Sequence, residues 1–139
     1  MEVLGRAQRA LPAAWDGPNN SLLNLIGGKW REPGHPRLLL SPVDGTPLGA
    51  YPMIDIEAAR EAVALAGAEA GEWGRTDIAE RKRRVAACVE QLRRHRELLA
   101  LLLVWEIGKP FLQALTSVDR CIAGAEWYIE NIVDMLGDR

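Results

Sequence analysis

From Leu22 onward, short extended runs alternate with turn signals, and after Ile54 the apolar residues recur every three or four positions. Leu22 to Ile26 and Lys29 to Arg31 flank Gly27-Gly28, and paired glycines supply the positive φ that a two-residue hairpin turn requires, so these runs predict a tight hairpin. A second extended run, Arg37 to Ser41, leads through Pro42-Val43-Asp44-Gly45 to Leu48 to Tyr51, with Asp44-Gly45 as the turn. Ile56, Ala59, Val63, Ala66, Ala70 and Trp73 then predict a helix with that stripe facing an apolar surface. Gly67 should weaken it by about 1 kcal/mol relative to Ala. Gly71 and Gly74 should help end it near Trp73.

Thr76 or Asp77 can cap the next helix, and Asp77 with Glu80 has the capping-box spacing. Its seam is Ile78, Val85, Val89 and Leu92. The apolar run from Leu98 to Trp105 stops at Gly108-Lys109-Pro110: glycine takes the left-handed conformation past a helix end, lysine suits the negative end of the dipole and proline forbids continuation. A last helix, about residues 112–136, carries Leu115, Val118, Ile122, Ala125, Ile129, Ile132 and Leu136 in one stripe, with nothing after it to cover the far end. Residues 1–20 read as an N-terminal arm with a short helix on Leu4, Ala7 and Leu11. The expected fold is mostly α with a small β-hairpin region at the N-terminal side: hairpins over about 22–52 and helices over about 55–136, within a domain of residues 21–139.

Composition narrows the function. The 139 residues, 48% hydrophobic, suffice for one globular domain or one piece of a larger one. Seventeen basic against nineteen acidic residues give a net charge of −2, which exerts no overall pull toward nucleic acid or an anionic membrane. No apolar run approaches the ~20 residues of a membrane helix. Residues 1–20 lack a secretory pattern, so a soluble, cytoplasmic protein with no membrane partner is expected. Cys88 and Cys121 are too few for a disulfide scaffold and should be reduced thiols.

Independent chemistry is hard to find. A phosphate-binding loop needs a glycine five positions before Gly-Lys and a hydroxyl after it, whereas Gly108-Lys109 offers Leu103 and Pro110, and Gly28-Lys29 offers Leu23 and Trp30. The clusters Arg81-Lys82-Arg83-Arg84 and Arg93-Arg94-His95-Arg96 could track a phosphate backbone, but Glu80 with Arg84 and Glu90 with Arg94 form favourable i,i+4 pairs and no aromatic lies between the clusters. A solvated helix face, with no nucleic acid, is the expectation. Cys88 and His95 on one helix would stand ~10 Å apart along its axis, beyond proton-transfer reach. His35 and His95 have no close ligand spacing for zinc.

The succession of motifs says more than any one of them. Leu25-Ile26-Gly27-Gly28-Lys29-Trp30 followed by Ser41-Pro42-Val43-Asp44-Gly45-Thr46-Pro47-Leu48-Gly49 resembles the amino-terminal hairpins of the aldehyde dehydrogenase superfamily. Residues 62–70 look like its alanine-rich first helix, Trp73 with Ala79-Glu80-Arg81 like the start of its second, and Glu106-Ile107-Gly108-Lys109-Pro110 like its E-x-G-K-P helix end. Together these span about residues 22–136 in the family's order. Departures are Ser41 where Asn is usual, Gly27 where Asn is usual, and Asp44 and Thr46 in the turn. Trp105 to Lys109, Asp119-Arg120 and Tyr128-Ile129 are similar to branches acting on phosphorylated or semialdehyde substrates.

The resemblance implies a partial α/β domain, the start of a cofactor-binding domain in an enzyme that oxidises aldehydes to acids with NAD or NADP. In that family a cysteine thiolate attacks the carbonyl, hydride passes to the nicotinamide, a glutamate activates water, and an asparagine and a backbone amide hold the oxyanion. None of those motifs occurs in this sequence, and neither Cys88 nor Cys121 matches the nucleophile's setting. No catalytic, cofactor-binding or metal-binding residue is therefore assigned, and no cofactor is expected on this chain alone. Some members hold a monovalent cation on backbone carbonyls and an acid whose matching positions are Leu39, Leu40 and Glu106, although an exposed or capping role also suits Glu106. The leading expectation is an N-terminal fragment, inactive by itself, whose partner is a missing C-terminal remainder. The alternative is a stand-alone module that forms a homo-oligomer through the stripe from Leu115 to Leu136.

Overall fold

The computed structural model describes residues 2–15, 21–32 and 34–137. Helix α1 (Glu2–Ala10) and a 3-10 turn (Pro12–Trp15) precede strands β1 (Asn24–Ile26), β2 (Lys29–Arg31), β3 (Arg37–Leu40) and β4 (Pro47–Tyr51). Four helices follow: α2 (Ile56–Arg75), α3 (Ile78–Arg94), α4 (Arg96–Ile107) and α5 (Phe111–Leu136). The chain divides into two compact units, one of residues 1–74 with 105–108, the other of residues 75–104 with 109–139.

In the first unit, β1 and β2 pair antiparallel with Leu25 opposite Trp30 and Ile26 opposite Lys29. Gly27 and Gly28 turn the hairpin at φ 58° and 73°, the positive-φ pair expected of a two-residue turn. Strands β3 and β4 form the second hairpin, with an irregularity between Leu39 and Leu40. Its turn is closed by backbone bonds from Ser41 N to Thr46 O (2.9 Å) and Gly45 N to Ser41 O (2.8 Å). Ser41, only 2% exposed, accepts from Val43 N through its hydroxyl, and Asp44 Oδ1 accepts from Thr46 N at 2.9 Å. Serine and aspartate thus supply the short acceptors this turn needs. In the arm, Ala7 and Ala14 are buried, and Leu23 N donates to Ala14 O at 2.8 Å.

Helix α2 begins at Asp55, whose carboxylate accepts from Ala58 N at 2.7 Å, a cap that satisfies an otherwise orphaned amide. Two expectations for this helix are corrected. Gly71 and Gly74 lie inside it, and it ends at Arg75. Its apolar stripe, Ala59 apart, is also not the packed face: Ile56 and Val63 are 70% and 74% exposed, and Ala66, Ala70 and Trp73 are exposed as well. The half-buried positions are Ala58, Ala59, Ala62 and Leu65. The hairpin selects this face, because Leu65 Cδ1 lies 2.9 Å from where a side chain on Gly27 would begin. Arg31 and Glu61 form an ion pair at 3.0 Å between β2 and α2.

The second unit is built on α3, residues 96–104 of α4, and α5. Val89, Ala100, Ala114, Val118 and Ile122 are buried together, with Leu92, Leu99, Leu103, Val104, Leu115, Ala125 and Ile129 packed around them. Of the α3 seam, Val89 is buried and Ile78 and Leu92 half-buried, while Val85 remains exposed. The α5 stripe was expected to be uncovered toward its far end, and it is graded: Val118 and Ile122 are buried, Leu115, Ala125, Ile129 and Ile132 half-buried, and Leu136 62% exposed. Packing by α3 and α4 buries the middle of this seam, at Val118 and Ile122, and leaves its C-terminal end progressively open.

Asp77 caps α3, its carboxylate accepting from Ala79 N at 2.8 Å. The other half of the capping box is replaced, because Glu80 is taken by Arg83 and Arg84, each at 2.7 Å. Asp77→Ala should lower the unfolding free energy by about 1 kcal/mol, read as a shifted midpoint in urea denaturation. Between α4 and α5, Gly108 adopts φ 70° and Pro110 is the N-cap residue of α5. Lys109 behaves differently from expectation: its ammonium reaches forward to the Ser117 hydroxyl of α5, because Pro110 and the helix it starts bring that hydroxyl within range.

Candidate functional site

The cation positions that the family resemblance implies lie at the ends of β3 and α4, all within the first unit. Leu39 and Leu40 close β3, and Glu106 stands one residue before the end of α4. A side chain on Gly108 would begin 3.4 Å from Pro42 Cγ, so the turn after α4 rests beside the residue that opens the β3–β4 turn. Pro47, opposite Leu40, has no N–H to give the ladder. Glu106 is exposed overall, yet the protein around its carboxyl raises the pKa above its usual value by desolvation. A backbone carbonyl and a desolvated carboxyl are donor types suited to a hard cation. No cluster of three or more His, Cys, Asp or Glu side chains able to hold a metal occurs among the described residues.

Five of the seven arginines and lysines of the two basic clusters are drawn into ion pairs. Arg83 and Arg84 hold Glu80 and Arg94 holds Glu90, while Arg93 reaches Glu126 and Arg96 reaches Asp119, with Nη2 2.6 Å from Oδ2. The last two join α3 and α4 to α5, and spacing within one helix could not reveal them. Hydrogen bonds from Arg83 and Arg84 hold the Glu80 carboxyl down to about 2 from an ordinary 4.5. With the folded value depressed, this stabilisation is complete above pH 4.5 and is lost as pH falls toward 2. Carboxyl-carbon NMR should place the Glu80 midpoint near 2 in the native chain, and Arg83→Gln with Arg84→Gln should return it toward the ordinary value.

Cys88 and Cys121 are free and exposed on α3 and α5, and His95 is the C-cap residue of α3. Neither thiol has a hydrogen-bonding partner among the described residues, so the structure brings no nucleophile and base together there. Among the same residues, no helix is long and apolar enough to cross a membrane.

Residues 30–139 match the Aldehyde dehydrogenase family. The chain belongs to this family. It is similar to an aspartate-semialdehyde dehydrogenase (non-phosphorylating) of Halomonas elongata, 30% identical over 115 residues that cover 81% of this chain and 23% of the relative. Among solved structures, HpcC of Thermus thermophilus aligns with a TM-score of 0.81 at 23% identity, covering 99% of this chain and 26% of that one. The betaine aldehyde dehydrogenase of Staphylococcus aureus, solved in complex with NAD+, aligns at 0.72 and 22% identity, over 77% of this chain and 22% of that one. The chain thus spans about a quarter of the length of these aldehyde dehydrogenases. Both hairpins and all four long helices fall on the residues that carry the sequence resemblance, and the mostly α, partial α/β class is the family's.

Proposed function

We propose that residues 21–139 are the opening portion of an aldehyde dehydrogenase cofactor-binding domain, and that the chain alone does not oxidise aldehydes. The family match over residues 30–139 carries this reading, against relatives about four times as long. The activity of the parent enzyme would be oxidation of an aldehyde to a carboxylic acid with NAD or NADP. That reaction needs an activated thiolate and a nearby acid–base group, whereas Cys88 and Cys121 are exposed thiols without partners among the described residues. The purified chain, mixed with aliphatic, aromatic and semialdehyde substrates and either cofactor, should give no aldehyde-dependent rise in reduced nicotinamide absorbance. Turnover that disappears in Cys88→Ser or Cys121→Ser would overturn the reading.

Within the same reading, the Leu39 and Leu40 carbonyls and Glu106 are the positions that would take a monovalent cation. The approach of Gly108 to Pro42 supports this, since it brings the end of α4 beside the strand end that carries those carbonyls. A crystal soaked in a thallium salt should show a density peak within coordination distance of Glu106, and its absence would remove the assignment.

A further inference from the structure

The N-terminal half of α3 and the C-terminal half of α5 enclose a groove of about 400 Å³. Its walls are Ile78 and Val85 from α3 and Ile129, Ile132 and Leu136 from α5, with Arg81 and Lys82 on one side and no acidic residue in its lining. Arg81 Nε is buried without an acceptor, and Lys82 has no ion-pair partner among the described residues. A desolvated guanidinium nitrogen lacking an acceptor is costly, so an occupant that brings a carboxylate is favoured over one that is purely apolar.

The same protein displays a surface of matching chemistry. Trp127, 50% exposed, stands on one face of α5 with Glu130 and Asp134, at the three-and-four spacing that aligns helical side chains. Both carboxylates are exposed and unpaired among the described residues. Seven residues separate Trp127 from Asp134, as they separate Ile78 from Val85 along the groove wall, so strip and wall each run about 10 Å. The Trp127 indole packs edge-on against Tyr128, and an exposed tryptophan beside carboxylates is the residue type that anchors protein interfaces.

We propose that a second copy of this chain seats its Trp127–Glu130–Asp134 strip in the α3–α5 groove, the two carboxylates meeting Arg81 and Lys82 and the indole covering the apolar walls. The groove positions Ala125, Ile129, Ile132 and Leu136 lie about 140–200° around α5 from Trp127. Strip and groove therefore face different directions, the contact is heterologous, and copies add head to tail.

Sedimentation of the 139-residue chain tests this. Its weight-average mass should rise with concentration past twice the 15.3 kDa of one chain, and should fall as sodium chloride increases from about 50 mM to about 500 mM, where exposed charge pairs are screened. A strip variant (Trp127→Ala, Glu130→Gln, Asp134→Asn) and a groove variant (Arg81→Gln, Lys82→Gln, Val85→Gln), each with native helical circular dichroism, should be monomeric alone. Mixed in equal amounts, they should form a one-to-one dimer, because each supplies the surface the other lacks. A native chain that stays monomeric, a mass indifferent to salt, a single variant that associates like the native chain, or a mixture that fails to pair would each overturn the proposal. The salt series needs no substitution, so it stands even where a variant fails to fold. None of these outcomes bears on family membership, and the absorbance assay on aldehydes tests the proposed function separately.

Discussion

Ile122→Ala should lower the unfolding free energy by about 2–5 kcal/mol, the range for cutting a buried isoleucine to its Cβ. Ile122 is 5% exposed and shares the buried cluster of the second unit with Val89, Ala100, Ala114 and Val118. The loss has two parts: transfer of three carbons out of the core, and the space they leave. Ala100 and Ala114, both fully buried, have no longer side chains that could swing in to refill that space, which places the effect away from the lower end. Since a domain's whole stability is about 5–15 kcal/mol, such a loss would be a large share of it. Urea denaturation followed at 222 nm should show an earlier midpoint with an unchanged slope. Leu112→Ala, on the same helix but 76% exposed, should move the midpoint little. Equal shifts for the two would mean that this core does not hold the helices together.

What the sequence disclosed follows from the range over which each signal acts. The hairpins were legible because Gly27-Gly28 and Asp44-Gly45 are local devices, and the observed registers agree with them. Helix existence was legible from the three-and-four rhythm. The packed face of α2 was not: alanines surround that helix, the largest aliphatic side chains pointed to Ile56 and Val63, and the choice was made by Leu65 against Gly27, residues 38 positions apart in number. The ion pairs of Arg93 with Glu126 and Arg96 with Asp119 were hidden for the same reason, since separations of 33 and 23 residues carry no periodic signature. Ala100 and Ala114 passed unnoticed because an alanine in an apolar run looks like filler until helices pack against it. At the candidate site, the acid at position 106 could be read from its motif, whereas the approach of Pro42 to Gly108 is a tertiary fact. Motif order nevertheless identified the family, because order along a chain survives when the contacts it encodes cannot be read.

Gly27→Ala tests the contact that orients α2. Two costs add at this position. The residue holds φ 58°, a left-handed conformation that costs an L side chain about 1–2 kcal/mol, and the new methyl would begin 2.9 Å from Leu65 Cδ1, closer than two carbons can sit. Leu65 is half-buried and yields by turning its Cδ1 away from the hairpin, which gives up part of its burial. The expected loss is about 2 kcal/mol or more, spent in the first unit and leaving the helices of the second intact. Gly28→Ala separates the two causes: its φ is 73°, but nothing lies within 4 Å of the added carbon, so only the backbone cost remains. Amide hydrogen exchange should therefore speed up around β1, β2 and α2 in both variants, and more in Gly27→Ala. If the two substitutions cost the same, the Leu65 contact contributes nothing, and the exposed Ile56–Val63 side of α2 regains its claim to be the packing face.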